Sequence, residues 1–261
     1  MDIEKLKLDK DALLEAIEED DEIIEEFDEE MFHDMDIVRK MVDVFPYNYE
    51  YLPEELQEDK AVALECVKVR GDVYECLCED LQKDIEIMEV AICHGCDLKK
   101  IAGYKESVPL LCQEKLIRIA IECHDGNQMG YAAKELWKDK KLAETALNNG
   151  FCQVRELPAE LAAKKEVVLR VVKNIPKEDY SDAIFQVSYM AEELRREEAF
   201  LLELIKEREE IFQLISRCKK NEVLTEKFPF ACDVEFCKKA YQANKKTIKY
   251  MNKEMKAAVR V

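Results

Sequence analysis

Apolar side chains recur along the chain at fixed distances from a polar anchor. The stretch from Leu52 to Asp84, LPEELQEDKAVALECVKVRGDVYECLCEDLQKD, shows one full period, with Asp59 and Asp84 25 residues apart. Carried through the chain, the anchors are Asp9, Asp34, Asp59, Asp84, Gln113, Asp139, Lys164, Glu197 and Asp233, at spacings of 25, 25, 25, 29, 26, 25, 33 and 36. Four residues after each anchor stand Leu13, Val38, Ala63, Met88, Ile117, Ala143, Val168, Leu201 and Cys237. Seven after stand Ala16, Met41, Cys66, Ala91, Ala120, Ala146, Val171, Leu204 and Ala240. The columns three and eight residues after the anchor are also apolar, as is the column three before it, from Leu6 to Phe230. Fixed-period self-similarity of this kind marks a repeat architecture.

Offsets of three, four, seven and eight lie on one face of an α-helix. The anchor stands at the N-cap, where an aspartate accepts from free N–H groups and suits the positive end of the helix dipole. Gly71, Gly95, Gly126 and Gly150 fall where each helix stops. A second, shorter helix follows, as in Val73 to Leu77, and a last turn begins near Pro53 or Pro158 as the first helical residue. No stretch alternates as a strand would. The prediction is an all-α helical-repeat solenoid of about nine short two-helix units. Residues 1–175 read as regular repeats. Residues 176–261 read as a looser continuation, with single long helices over Ser181–Arg196 and Glu197–Cys218. A unit this short buries its apolar face only against its neighbours.

Three phrases carry a family resemblance: Asp-Lys-Asp-Ala-Leu-Leu-Glu-Ala-Ile (9–17), Asp-Lys-Ala-Val-Ala-Leu-Glu-Cys-Val (59–67) and Lys-Lys-Glu-Val-Val-Leu-Arg-Val-Val (164–172), the last two each just after a Leu-Pro-x-Glu-Leu phrase. Together they resemble the bacterial repeats classed as domain of unknown function 4116, over roughly residues 1–172. The resemblance implies a helical repeat protein, bacterial or carried by a mobile element, and brings no catalytic motif.

Charge changes the picture at the two ends. The chain of 261 residues carries a formal net charge of −18. Residues 1–60 hold 23 acidic and 6 basic side chains, a net of −17, whereas residues 233–261 hold 8 basic and 3 acidic, a net of +5. The densest acidic run includes Glu18, Glu19, Glu22, Glu25, Glu26 and Glu29. It reads as a solubilising cap or as a docking surface for a basic protein. Lys245, Lys246, Lys249 and Lys253 read as one basic helical face at the other end, either a polar end cap or a contact for nucleic acid or an acidic surface. An acidic head and a basic tail allow head-to-tail self-association. Direct binding of nucleic acid is not expected of a chain so acidic.

Eleven cysteines in a chain with no apolar leader and no membrane-length apolar run fit a reducing cytoplasm rather than a disulfide framework. Cys93, Cys96, Cys123 and His124 are the candidate metal ligands: Cys93 and Cys96 have the two-residue gap of a zinc site, and the Cys-His pair falls one repeat later. Structural packing is the plainer reading, and no cofactor is expected. Tyr47, Tyr49 and Tyr51 alternate around Pro46 and Pro53, and either line a recognition surface or fill the groove between repeats. The four residues inserted between Lys99 and Pro109 predict a loop on one face, and Trp137 beside a core column predicts packing. No phosphate-cradling glycine loop and no nucleophile elbow occurs, and His33, His94 and His124 sit in no catalytic phrase. The expected function is therefore non-enzymatic: binding of a protein partner through one face of the array. The alternative is an acidic inhibitor or regulator of a nucleic-acid-binding protein, its N-terminal carboxylates standing in for phosphates.

Overall fold

All nine anchors stand as N-caps in the computed structural model, which describes residues 9–104, 108–217, 230 and 233–259. The helices they open are α1 (Lys10–Glu19), α2 (Met35–Val44), α3 (Lys60–Val69), α4 (Ile85–Cys93), α5 (Glu114–Cys123), α6 (Lys140–Asn148), α7 (Lys165–Asn174), α8 (Glu198–Glu207) and α9 (Val234–Ala243). Each of the six aspartate anchors accepts a hydrogen bond from an N–H of the first turn; Asp59 takes Ala61 N at 2.6 Å and Val62 N at 3.2 Å. Gln113, Lys164 and Glu197 hold the same extended backbone but make no such bond. The fold is an all-α helical repeat, with no strand among the described residues.

Contacts divide the chain into Met1–Leu136 and Trp137–Val261. Within the first unit α1 to α5 pack in sequence order, each on the next, and within the second α6 to α9 do the same. The four- and seven-residue columns are buried in all nine repeats. The column three before the anchor is weaker than its sequence suggests. Met31, Leu81 and Leu194 are buried, but Leu56, Leu110, Leu136, Leu161 and Phe230 are only half-buried, and Leu6 lies outside the described residues. In the fifth and sixth repeats the neighbouring Leu111 and Trp137 fill the core instead. Trp137 packs edge-on against Phe151, with centroids 5.0 Å apart.

The helix ends are closed from the next repeat. The last carbonyls of an α-helix lack internal partners. Ten or eleven residues after five of the anchors a donor reaches back to them. Arg70 donates to Asp43 O at 3.0 Å, and Asn174 to Leu147 O and Phe151 O, both at 2.9 Å. Asn244 donates to Ile205 O at 3.3 Å. Arg208, almost fully buried, donates to Ile175 O at 2.7 Å and to Pro176 O and Asp179 O at 3.2 Å, and pairs with buried Glu210. On the outer edge Lys10 pairs with Asp34 (2.8 Å) and Asp36 (2.6 Å), and Lys60 with Asp84 (2.7 Å) and Glu86 (2.8 Å), so a lysine one residue into the helix meets the capping aspartate of the next repeat.

Several expectations need correction. The second element of most repeats is a tight 3-10 turn rather than an α-helix: Asp21–Glu26, Pro46–Tyr51, Gly71–Cys76 and Gly126–Tyr131. Pro53 and Pro158 are N-caps, one place before the first helical residue. Of the four glycine stops, only Gly95 (φ 110°) and Gly150 (φ 90°) use the left-handed conformation. Gly71 serves close approach: its N–H donates to His94 O at 2.9 Å, and a Cβ there would lie 2.2 Å from Ala91 O. The long helix expected over Ser181–Arg196 is broken into Tyr180–Val187 and Glu192–Arg195. That expected over Glu197–Cys218 breaks at Arg208, whose backbone (φ −138°) leaves the helix so that its side chain enters the core; a second helix runs Ile211–Arg217, and Cys218 lies outside the described residues.

These contacts set the expected stability changes, readable by urea unfolding. Asp59→Ala costs about 1 kcal/mol through the lost cap, and Gln113→Asp adds about 0.5–1 kcal/mol by supplying one. Arg208→Ala costs about 3–5 kcal/mol because it strands Glu210 in the core. Hydrogen bonding to Lys10 holds the Asp34 and Asp36 carboxyls below the usual carboxylate value. Carboxyls lowered by folding stabilise the folded state above their unfolded pKa and lose that contribution as pH falls, so urea midpoints should start to fall below about pH 4.

Candidate functional site: an acidic and aromatic cleft

The 3-10 turns of the first three repeats lie side by side, Asp21–Glu26 against Pro46–Tyr51 and Pro46–Tyr51 against Gly71–Cys76. Proline at the start of Pro46–Tyr51 fixes φ for the turn, and alternation along it sends successive tyrosines different ways. Tyr49 is fully buried; its hydroxyl donates to Gln57 O at 2.9 Å, and Gln57 Nε2 donates back to Glu50 O at 3.0 Å and Leu52 O at 2.6 Å. Tyr74 and Gln82 repeat the exchange one repeat later, at 2.7 Å and 3.3 Å. Tyr47 and Tyr51 remain 45% and 46% exposed, beside Phe45 at 48%, which packs on Tyr47 with centroids 5.3 Å apart. One of the three tyrosines is thus core, and two are surface.

The exposed rings line a cleft of about 450 Å³ together with Asp21, Glu22 and Glu50. Glu22 also lines an adjoining hollow with Glu25 and Glu26. Tyr51 donates to Glu25 Oε1 at 3.2 Å, and that bond raises the Tyr51 phenol pKa; the charge of Glu75 raises that of Tyr47. Both rings sit in a negative field. Glu50 has no basic partner among the described residues.

The rest of the acidic run is spread over more elements. Glu18 and Glu19 end α1, Glu22, Glu25 and Glu26 ride the next turn, and Glu29 opens another, Glu29–His33. Glu18 is paired with Lys40, which lowers its pKa chiefly by hydrogen bonding. The lysines do not form a single helical face: Lys245 and Lys249 belong to a 3-10 turn, Lys245–Tyr250, and Lys253 opens a separate helix. Lys245 lies 4.1 Å from the Tyr241 ring centroid, and Lys249 pairs with Glu209 at 3.1 Å and lies 4.8 Å from the Tyr250 ring.

The candidate metal ligands part company. Cys93 and Cys123 meet, Sγ to Sγ at 3.4 Å. Cys96 is buried, and burial pushes its thiol up to about 12. His124 turns Nε2 onto Ile92 O (2.9 Å) and Cys96 O (3.2 Å), the same closing of a preceding helix that Arg70 and Asn174 perform. No group of three metal-ligating side chains comes together among the described residues, and no helix among them is long and apolar enough to cross a membrane.

Residues 34–82 match the family described as Domain of unknown function (DUF4116). The matched residues span the second and third repeats. The match begins at the cap of α2 and ends at Gln82, so it encloses both tyrosine–glutamine exchanges and the Pro46–Tyr51 side of the cleft. The Asp21–Glu26 side lies before it, and the match is narrower than the resemblance read over residues 1–172. No curated protein and no solved structure matches the chain.

The two classes of tyrosine separate by measurement. Tyr49→Phe removes a buried hydrogen bond and costs about 1 kcal/mol, whereas Tyr47→Ser changes stability by no more than about 0.5 kcal/mol. Urea midpoints for the pair check both.

Proposed function

We propose that the chain is a non-enzymatic binding module whose N-terminal cleft takes a lysine or arginine side chain from a basic segment of a protein partner. The supporting observation is internal. Sixteen residues after the anchor, the fourth and ninth repeats carry Lys100 and Lys249, and both reach carboxylates of the preceding repeat. Lys100 Nζ lies 2.8 Å from Asp72 and 2.9 Å from Glu75. Burial opposes its charge, but hydrogen bonds to the two carboxylates prevail, and its pKa is raised. Lys249 sits on a carboxylate and a tyrosine ring. At the same position the first three repeats carry Glu25, Glu50 and Glu75. The cleft between the first two repeats therefore has the carboxylates and the rings of a lysine seat, with glutamate where the chain would supply its own lysine. Aromatic faces and carboxylates together favour such a cation.

The narrower reading is an inhibitor or regulator of a nucleic-acid-binding protein. It is favoured by the exposed carboxylates of Glu22, Glu25 and Glu26 at the cleft and its adjoining hollow, which could occupy a basic groove in place of phosphates. Competition by duplex DNA for the captured partner separates this reading from binding of a basic segment that has no nucleic-acid role.

Calorimetric titration with a short arginine-rich peptide tests the proposal. Binding weakens as salt rises. Glu50→Lys, which gives the second repeat a lysine of its own, lowers affinity at least about tenfold, or about 1.4 kcal/mol, as does Glu22→Gln combined with Tyr47→Ala. Unchanged affinity in both variants would sink the proposal.

A further inference from the structure

We infer that Cys93 and Cys123 form a redox-active thiol pair, oxidised by peroxides to a disulfide that staples the fourth repeat to the fifth. The two cysteines are the last residues of α4 and α5, helices that pack on one another. Both are exposed, and their sulfurs lie 3.4 Å apart, although 30 residues separate them in sequence. Of the other exposed cysteines, Cys78 and Cys112, the latter donates to Pro109 O. The pair is held in register without a covalent bond, because the adjacent His124 ties the end of α5 to the carbonyls Ile92 O and Cys96 O at the end of α4. Oxidation therefore needs little rearrangement of the backbone.

The hydrogen bond also divides the roles. Cys123 donates its S–H to Cys93, so the Cys93 sulfur is the acceptor. Although Cys123 is exposed, partial desolvation where α5 meets α4 and this bond push its thiol up to about 11, keeping it protonated. The Cys93 thiolate attacks a peroxide oxygen: the S–O bond forms, the O–O bond breaks, and hydroxide leaves and is protonated to water. The Cys123 sulfur then attacks the Cys93 sulfenic acid. The S–S bond forms, the S–O bond breaks, and the second water leaves with the Cys123 proton. Two thiols lose two electrons, and one hydrogen peroxide becomes two waters. The staple crosses the widest anchor spacing of the first unit, from Asp84 to Gln113.

The test is treatment of the full chain with hydrogen peroxide, followed by non-reducing peptide mapping and thermal unfolding. The expected result is one cross-linked peptide joining Cys93 to Cys123. The thermal midpoint should rise by about 5–10 °C, the size expected for closing a loop of this length, and fall back with dithiothreitol. Cys93→Ser and Cys123→Ser each abolish the cross-link and the rise, while Cys78→Ser and Cys112→Ser keep both. Reduced Cys93→Ser should match the reduced wild type in circular dichroism, so that its loss of response is not a loss of fold. A cross-link between other cysteines, a midpoint rise that survives in Cys93→Ser, or oxidation of Cys93 to sulfinic acid with no cross-link would overturn the inference.

Discussion

A ten-residue helix with one apolar face does not stand by itself in water, and within Met1–Leu136 and within Trp137–Val261 the repeats support one another in two ways. Successive helices of a unit pack on one another, and the columns four and seven residues past the anchor are buried in all nine repeats. In five of them the following repeat also sends a side chain or imidazole back to the open carbonyls of the preceding helix, from Arg70, His124, Asn174, Arg208 and Asn244. The first contribution is broad and tolerant of sequence. The second is directional and fixes how far one repeat turns on the next. Where the donor is fully buried, as Arg208 is, it breaks the helix that carries it, because the chain must turn inward to bring the guanidinium to Ile175 and Asp179.

Because this framework holds the repeats together, the second elements are left free to vary. They are short 3-10 turns stacked beside one another, and the same backbone carries different chemistry from repeat to repeat. At the position sixteen past the anchor, glutamate in the first three repeats gives way to Lys100 in the fourth. Lys100 neutralises Asp72 and Glu75 from inside. Between the first two repeats no such lysine is present, and exposed aromatic rings flank the carboxylates instead. The N-terminal excess of negative charge is thus partly consumed, as in Glu18 with Lys40 and Asp34 with Lys10, and partly concentrated at one cleft.

The repeat and its caps were legible because they rest on period and on backbone chemistry that every unit shares. Asp59 announces its cap by residue type alone, and the apolar columns survive even where Gln113 or Lys164 replaces aspartate. What was illegible depends on one side chain crossing to another repeat. His124 beside Cys123 reads as a metal ligand in sequence, yet its ring closes α4. Gly71 reads as a helix stop, yet it admits the His94 carbonyl. Tyr47, Tyr49 and Tyr51 look equivalent until the 3-10 turn sends Tyr49 inward to Gln57. Phe45 carried no signal, because an exposed aromatic is ordinary until a neighbouring turn places it, and Glu50 carried one only through its offset from the anchor. A comparison of the second elements at one fixed offset, rather than of the helix columns, would have shown the change from glutamate to lysine.

The most direct test of the cleft as a cation seat is an aromatic-region NMR titration of the full chain with the amide of N-acetylarginine. The ring signals of Phe45, Tyr47 and Tyr51 should shift together and saturably, while the buried ring of Tyr49 and the rings of Tyr241 and Tyr250 stay in place. Shifts spread evenly over the exposed aromatics of the chain, or an unmoved Tyr47 and Tyr51, would contradict it.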